Sequence, residues 1–210
     1  MLKILGKASS INVRKVMWTC AELGLAFERE DWGSGFRATS DPAFLALNPN
    51  AMVPVLVDAD TVLWESNTIC RYLATAYGDG TVASLLPRDA ATRARVEQWM
   101  DWQATELNNA WRYAFMALVR RSEAHGDAAQ VAASAASWHR HMAILDRQLE
   151  RTGAHVAGPA FSLADIVLGL SANRWRMTPV ERPDCPAVEA WLARLAARPG
   201  YRDFCANGTP

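Results

Sequence analysis

The sequence predicts a small α/β domain followed by an all-helical domain. Three observations lead to this prediction. The first 77 residues alternate between strand and helix patterns in the order β-α-β-α-β-β-α, a segment with glycine and proline but little periodicity follows, and every later apolar pattern has helical spacing. We therefore expect one domain over residues 1–79, a linker over 80–88 and a helical domain over 89–210.

The amino-terminal elements follow from short apolar runs. Residues 2–5 form such a run and predict a first strand. From Ser10 onward, apolar residues recur at three- and four-residue spacing, which predicts a helix that Gly24 ends. Residues 26–30 supply a second strand, and the glycines at 33–35 indicate a loop.

The second half of this domain predicts a hairpin between two helices. A short helix is expected over residues 41–47, because an aspartate at its N-cap precedes a proline at the first helical position. Two β-branched, apolar runs at 54–57 and 61–63 then predict a hairpin. A helix over about 65–77 completes the domain.

The remaining chain predicts helices only. They are a long one with an apolar stripe from residue 96 to 118 that fades near Gly126, and three more over 128–150, 162–174 and 186–197. Pro199 and Gly200 are expected to end the last of them.

Composition excludes several functional classes. The 22 basic residues balance 22 acidic ones, so no positive excess favours nucleic acid. The four cysteines form no C-x-x-C pair and fit no zinc site, and Cys20 and Cys70 are expected to be buried apolar residues. No stretch approaches the ~18 apolar residues of a membrane helix, and residues 1–10 lack a signal-peptide core. We expect a cytoplasmic protein without metal.

The first candidate site feature is Met52-Val53-Pro54, at the start of the third strand. A cis Val53–Pro54 bond would turn the backbone N–H and C=O of Val53 outward, where they can pair with an extended peptide. Only about 5–6% of X-Pro bonds are cis, so the local sequence alone favours trans.

Two helix starts are the other candidates. Ser66, after Glu65, lies beside free backbone N–H groups that attract a carboxylate, or it simply caps the helix. In the segment from Ser9 to Asn12, a hydroxyl or amide can donate to a thiolate, and the alternative for Ser10 is again an N-cap.

Together these residues resemble the glutathione transferase superfamily over essentially the whole chain. The matching motifs occur in family order: Ser10-x-Asn12-Val13-Arg14-Lys15-Val16, Glu22-Leu23-Gly24-Leu25, Asn48-Pro49-Asn50, Val53-Pro54, Trp64-Glu65-Ser66-Asn67, Ser162-Leu163-Ala164-Asp165 and Arg198-Pro199-Gly200-Tyr201. One match alone would be weak, whereas so many in order are specific. This context favours a cis Pro54 and a binding role for Ser66.

The resemblance implies a thioredoxin-like domain with glutathione along the sheet edge, followed by the helical domain. Val53 would pair with the cysteinyl backbone of glutathione, while Glu65 and Ser66 would hold its γ-glutamyl end. Asp165 looks structural, as part of the family's capping box. Glutathione would be a co-substrate, with no cofactor or metal, and the protein would be a homodimer with roles in detoxification.

The residue that activates the thiol is chosen from the family's alternatives. All four tyrosines lie too far along the chain for the tyrosine type, and no cysteine lies near residue 10 for the cysteine type. Ser10 and Asn12 are therefore the candidates, with Ser9 as a rival. The chain looks most like the bacterial serine/asparagine branch.

The glycyl carboxylate of glutathione lacks its usual partner. Many relatives have lysine or glutamine where Met52 stands, so Arg37, Asn50 or an arginine elsewhere in the chain is expected to replace it.

The electrophile is expected between the domains, against the long helix. Trp111, Arg112, Phe115 and Met116 lie in the stretch that would face it. The aromatic Trp111 also fits a core position. Arg112 either pairs with a neighbouring acid or faces an anionic electrophile or departing halide.

The expected function is transfer of glutathione to a small electrophile. Glutathione-dependent reduction of peroxides or disulfides uses the same thiolate, and a non-catalytic glutathione-binding scaffold is the third alternative.

Overall fold

A computed structural model of the chain describes residues 1–78 and 84–210. Residues 79–83 lie outside the described part. The end of the first predicted domain and the first half of the predicted linker therefore lie outside the described residues.

The amino-terminal part is a four-stranded mixed sheet with helices, as predicted. Its strands are β1 (Leu2–Leu5), β2 (Phe27–Glu30), β3 (Val55–Asp58) and β4 (Thr61–Trp64), and its helices are α1 (Ile11–Glu22), α2 (Pro42–Leu45) and α3 (Ser66–Ala76). The strand order is β2-β1-β3-β4. β1 is parallel to β2 and antiparallel to β3, with Ile4 opposite Leu56.

The carboxy-terminal part is helical. Its helices are α4 (Ala90–Trp102), α5 (Asn108–Leu118), α6 (Ala128–Thr152), α7 (Leu163–Met177), α8 (Pro186–Leu195) and α9 (Pro199–Phe204). A π-helical turn, Gln103–Leu107, joins α4 to α5, and a 3-10 turn, Glu123–His125, precedes α6.

Two features of this part were not predicted. The long predicted helix is divided by the π turn, because apolar spacing does not reveal one extra residue in a turn. The helix predicted over 186–197 ends at Leu195 as α8, but Pro199 and Gly200 then begin the unpredicted helix α9, since proline fits the first turn of a helix. Gly200 packs directly on Trp18, where an added Cβ would lie 2.3 Å from Cδ1 of the indole.

α1 joins the two parts of the molecule. It lies against the sheet and α3 on one side and against α7 and α9 on the other. Its Trp18 is fully buried and packs on Phe161 and Tyr201, at ring-centroid distances of 6.1 and 5.6 Å. The burial predicted for Cys20 and Cys70 is confirmed. None of the described helices is long and apolar enough to cross a membrane.

Candidate functional site: a cleft at the amino ends of two helices

A cleft of about 270 Å³ lies where the amino ends of α1 and α3 meet the π turn and α5. It is lined by Asn12, Lys15, Asn48, Met52, Val53, Pro54, Glu65, Ser66, Asn67, Ala104, Asn108 and Arg112. Seven of the predicted site residues, Arg112 among them, thus meet in one place from four separate segments.

The entry to β3 forms one wall. The Val53–Pro54 bond is cis, as the resemblance implied. The side chain of Asn48 is buried and its Nδ2 donates to the carbonyl oxygen of Met52 at 2.8 Å, which holds this loop in place. Met52 itself is 63% exposed, so an apolar side chain stands at the rim.

The amino end of α3 forms the next wall. Glu65 has a φ of +69°, a conformation that non-glycine residues rarely adopt and that is found at binding sites. Ser66 is the first residue of the helix and is buried, and Glu65, at the N-cap position, makes no side-chain capping bond. Ser66 is therefore not the N-cap, and the first backbone N–H groups of this 11-residue helix stay available to an anion.

The amino end of α1 presents the predicted thiol-activating residues. Ser10 occupies the N-cap position, but its side chain makes no capping hydrogen bond. Asn12 is half-buried and lines the cleft, whereas Ser9 and Ser10 do not. The geometry therefore places the amide nearest the cavity.

The floor of the cleft is polar and buried. Lys15 is 2% exposed, and its Nζ donates to Oδ1 of Asn67 at 3.3 Å and to Oε1 of Gln103 at 2.8 Å. Asn67 donates in turn to the carbonyl oxygen of Met100 at 2.8 Å. Burial lowers the pKa of Lys15 to about 8, since an ammonium loses its hydration there.

The π turn and α5 form the opposite wall. Nε2 of Gln103 donates to Oδ1 of Asn108 at 2.9 Å, and Nε1 of Trp111 donates to the same oxygen at 3.1 Å. Arg112 is exposed at the cleft and forms no ion pair within the described part of the chain. Of the two environments predicted for Arg112, the structure therefore shows the one in which this residue faces the cavity.

The aromatic residues of α5 lie behind this wall. Trp111, Phe115 and Met116 do not line the cavity, and Trp111 packs on the core, the position that an aromatic stripe at helical spacing favoured. The buried guanidinium of Arg174 lies over both rings, 4.6 Å from the Trp111 centroid and 4.1 Å from that of Phe115.

Two predicted ligands of the glycyl carboxylate lie outside the cleft lining. Arg37 stacks on Trp32 at 3.9 Å and pairs with Glu30 at 2.5 Å. The backbone N–H and side-chain amide of Asn50 both donate to Oδ1 of Asn48 at 3.0 Å. Both side chains already have partners within the chain.

Five lining residues were given no role from the sequence: Lys15, Asn48, Asn67, Ala104 and Asn108. Lys15, Asn48 and Asn67 lie within the motifs quoted above, and this position is the sequence signal that could have identified them. A lysine on a helix normally predicts a solvated face, so nothing in its spacing indicated that Lys15 is buried.

Comparison with known proteins gives full-length matches. The chain matches the family descriptions "Glutathione S-transferase, N-terminal domain" over residues 9–76 and "Glutathione S-transferase, C-terminal domain" over 128–194. It is 36% identical over 204 residues to glutathione S-transferase GstB of Escherichia coli K12, covering 96% of each chain. It is also 36% identical over 208 residues to glutathione S-transferase 3 of Zea mays, covering 96% of this chain and 91% of that protein.

A solved structure matches the whole fold. The theta class glutathione S-transferase from Xanthomonas axonopodis pv. citri, with glutathione bound, superposes with a TM-score of 0.91. The two are 37% identical, and the match covers 100% of this chain and 99% of that one.

Proposed function

The chain belongs to the glutathione S-transferase family, and we propose that the cleft at the amino ends of α1 and α3 is its glutathione site. The enzyme transfers glutathione to an electrophile. Its finer assignment to a serine/asparagine branch is part of the proposal, supported by the theta class relative and by Ser10 and Asn12 at the start of α1.

The main support for this site is that three predicted recognition elements meet around one cavity: the entry to β3, the amino end of α3 and the amino end of α1. The backbone of Val53, before the cis proline, would pair with the cysteinyl unit of the tripeptide. Ser66 and the free N–H groups of α3 would take the γ-glutamyl carboxylate, with Glu65 near its ammonium. Met52 stands at the glycyl end, where Arg37 and Asn50 remain the proposed ligands after movement of their side chains.

The thiol of glutathione is then activated by a hydrogen bond from Asn12 or Ser10. A free thiol has a pKa near ~8.5, so only a few per cent is thiolate at neutral pH. A hydrogen bond to a charged group is worth roughly 1.5–3 kcal/mol, which lowers the thiol pKa by about one to two units. With a shift of about two units the thiolate becomes the major species near pH 7. No metal or further cofactor enters this proposal.

Transfer follows from the thiolate. Its sulfur attacks the electrophilic carbon, a carbon–sulfur bond forms, and the leaving group departs with its electron pair. Arg112 faces the cleft without an ion-pair partner in the described part of the chain, which suits an anionic electrophile or a departing halide. Trp111, Phe115 and Met116 remain proposed as the apolar surroundings of this end of the site.

The larger-scale assignments also belong to the proposal. We assign residues 1–79 to glutathione binding, 80–88 to a linker and 89–210 to the electrophile, in a cytoplasmic homodimer. Within this chain Arg71 pairs with Glu97 and Asp101. The mass of the purified protein in solution, measured by light scattering, tests the dimer.

The first experiment is a titration of the bound thiol. Absorbance of the glutathione thiolate at 240 nm, followed from pH 5 to 9, gives the thiol pKa in the parent and in Ser10→Ala, Asn12→Ala and Ser66→Ala. We expect Asn12→Ala and Ser10→Ala to raise the thiol pKa more than they weaken binding. Ser66→Ala should instead raise the dissociation constant. The exposed Ser40→Ala is the matched control.

The outcomes distinguish the alternatives. If neither Ser10→Ala nor Asn12→Ala shifts the thiol pKa, the activating donor is elsewhere, with Ser9 next. Binding without any pKa shift in the parent would favour a scaffold. Assays of the parent with an aryl halide and with cumene hydroperoxide separate transfer from peroxide reduction.

A further inference from the structure

A buried positive charge lies in the floor of the cleft. Lys15 lines the cavity from the second turn of α1, about one helical turn after Asn12. Its two hydrogen-bond partners in the described part of the chain, Oδ1 of Asn67 and Oε1 of Gln103, are neutral amide oxygens. Two bonds leave one of its three N–H groups for a further acceptor.

Within residues 1–78 and 84–210, no carboxylate forms an ion pair with this charge. Besides burial, three groups shift the pKa of Lys15: Cys70 of α3, Arg174 of α7 and Glu65 before α3. Arg174 is a like charge, and burial holds Cys70 as a neutral thiol, because it raises the pKa of Cys70 to about 11. Glu65 is exposed and has the smallest of these influences. An unpaired buried ammonium costs stability unless an anion approaches it.

The proposed ligand supplies such an anion. Glutathione carries two carboxylates and one ammonium, and its thiolate adds a further negative charge. We propose that Lys15 is the counter-charge of the glutathione site, which interacts with the bound tripeptide and takes up a proton when the tripeptide binds. This inference rests on the proposed function, because it requires glutathione to occupy the cleft.

The sign of the linkage follows from the burial of Lys15. In the free protein its pKa is about 8, so near pH 8 about half of the molecules carry a neutral amine. An anionic ligand favours the ammonium and raises the pKa of Lys15. Binding near pH 8 should therefore take up about half a proton, and affinity should fall as the pH rises through 8.

The test uses S-methylglutathione, whose sulfur cannot titrate. Isothermal titration calorimetry at pH 8 in two buffers of different ionisation enthalpy gives the number of protons taken up per ligand bound. We expect about half a proton in the parent and a smaller uptake at pH 6.5, where Lys15 is already protonated. An uptake that does not differ between the two pH values would overturn the inference.

Variants separate Lys15 from the ligand's own amino group. Lys15→Met should lose the uptake and weaken binding roughly ten- to hundredfold, as expected for a lost hydrogen bond to a charged group. Lys15→Arg, which stays protonated at pH 8, should retain binding and lose the uptake. Lys3→Met, at a half-exposed lysine paired with Glu30, should keep both.

Each result has one meaning. Uptake that persists in Lys15→Arg at pH 8 would assign the proton to another group and refute the inference, while leaving the glutathione site intact. If Lys15→Met does not fold, which a thermal melt shows, the parent and Lys15→Arg still decide. Failure of S-methylglutathione to bind the folded parent would reject the proposed site itself.

Discussion

Replacing Asp165 by asparagine should destabilise the protein severely, because both oxygens of this buried carboxylate are fully used. Oδ1 accepts from the backbone N–H of Val156 at 3.0 Å and from Nε1 of Trp191 at 2.9 Å. Oδ2 accepts from the backbone N–H and the hydroxyl of Ser162 at 2.9 and 3.0 Å. The side chain is completely buried, so no water can replace a lost bond.

The magnitude follows from the geometry. An amide nitrogen at either oxygen position removes two of the four hydrogen bonds and points its own hydrogens at donors. At roughly 1.5–3 kcal/mol for each bond to a charged group, the loss is about 3–6 kcal/mol. For a chain of this size that lowers the Tm by roughly 6–24 °C.

The assay is a thermal melt followed by circular dichroism, with Asp127→Asn as the matched control. Asp127 is an exposed N-cap of α6 that accepts from the backbone N–H groups of Ala129 and Gln130. Asparagine caps a helix about as well, so the control should stay within about 0.5 kcal/mol. A Tm for Asp165→Asn that matches the control would refute the reasoning from the four hydrogen bonds.

Three further predictions concern packing, thiols and the cleft. Gly200→Ala should cost about 1–3 kcal/mol in urea unfolding, because its Cβ would lie 2.3 Å from Trp18, whereas Gly126→Ala, with 3.4 Å to its nearest neighbour, should cost far less. Burial raises the pKa of every cysteine thiol to about 11 or 12, so at pH 8 the thiols stay protonated and should react with Ellman's reagent only after unfolding. Gln103→Glu would place a carboxylate beside Lys15, so calorimetry at pH 8 should show weaker S-methylglutathione binding without proton uptake, and unchanged uptake would contradict this.

Much of the fold was predictable because it depends on local periodicity. Short apolar runs identified β1, β3 and β4, and three-to-four-residue apolar spacing identified most helices, since such local patterns decide which face is buried. The π turn was missed because a single extra residue in a turn leaves the apolar stripe nearly unchanged. The helix α9 was not predicted because Pro199 and Gly200 suit the end of one helix as well as the beginning of the next.

The site was predictable where a motif identified it. Val53, Pro54 and Ser66 follow from short signals whose order is specific to the family. The position of Arg37 depends on a pairing with Glu30 that sequence spacing does not reveal. The burial of Lys15 in the cleft could not be predicted for a similar reason. It depends on side-chain amides contributed by α3 and the π turn, which are far away in the sequence.

The π turn explains how these distant amides reach one place. In a regular α-helix, residues five apart point roughly 140° away from each other. A π turn, with its i to i+5 hydrogen bonds, brings them onto one face, and here Nε2 of Gln103 donates to Oδ1 of Asn108 across five residues. The same Gln103 holds Lys15 through Oε1, while Asn108 lines the cleft. The irregular turn thus ties the wall that would meet the electrophile to the charge beneath the proposed glutathione site. A change at Gln103 should therefore affect both ends of the reaction.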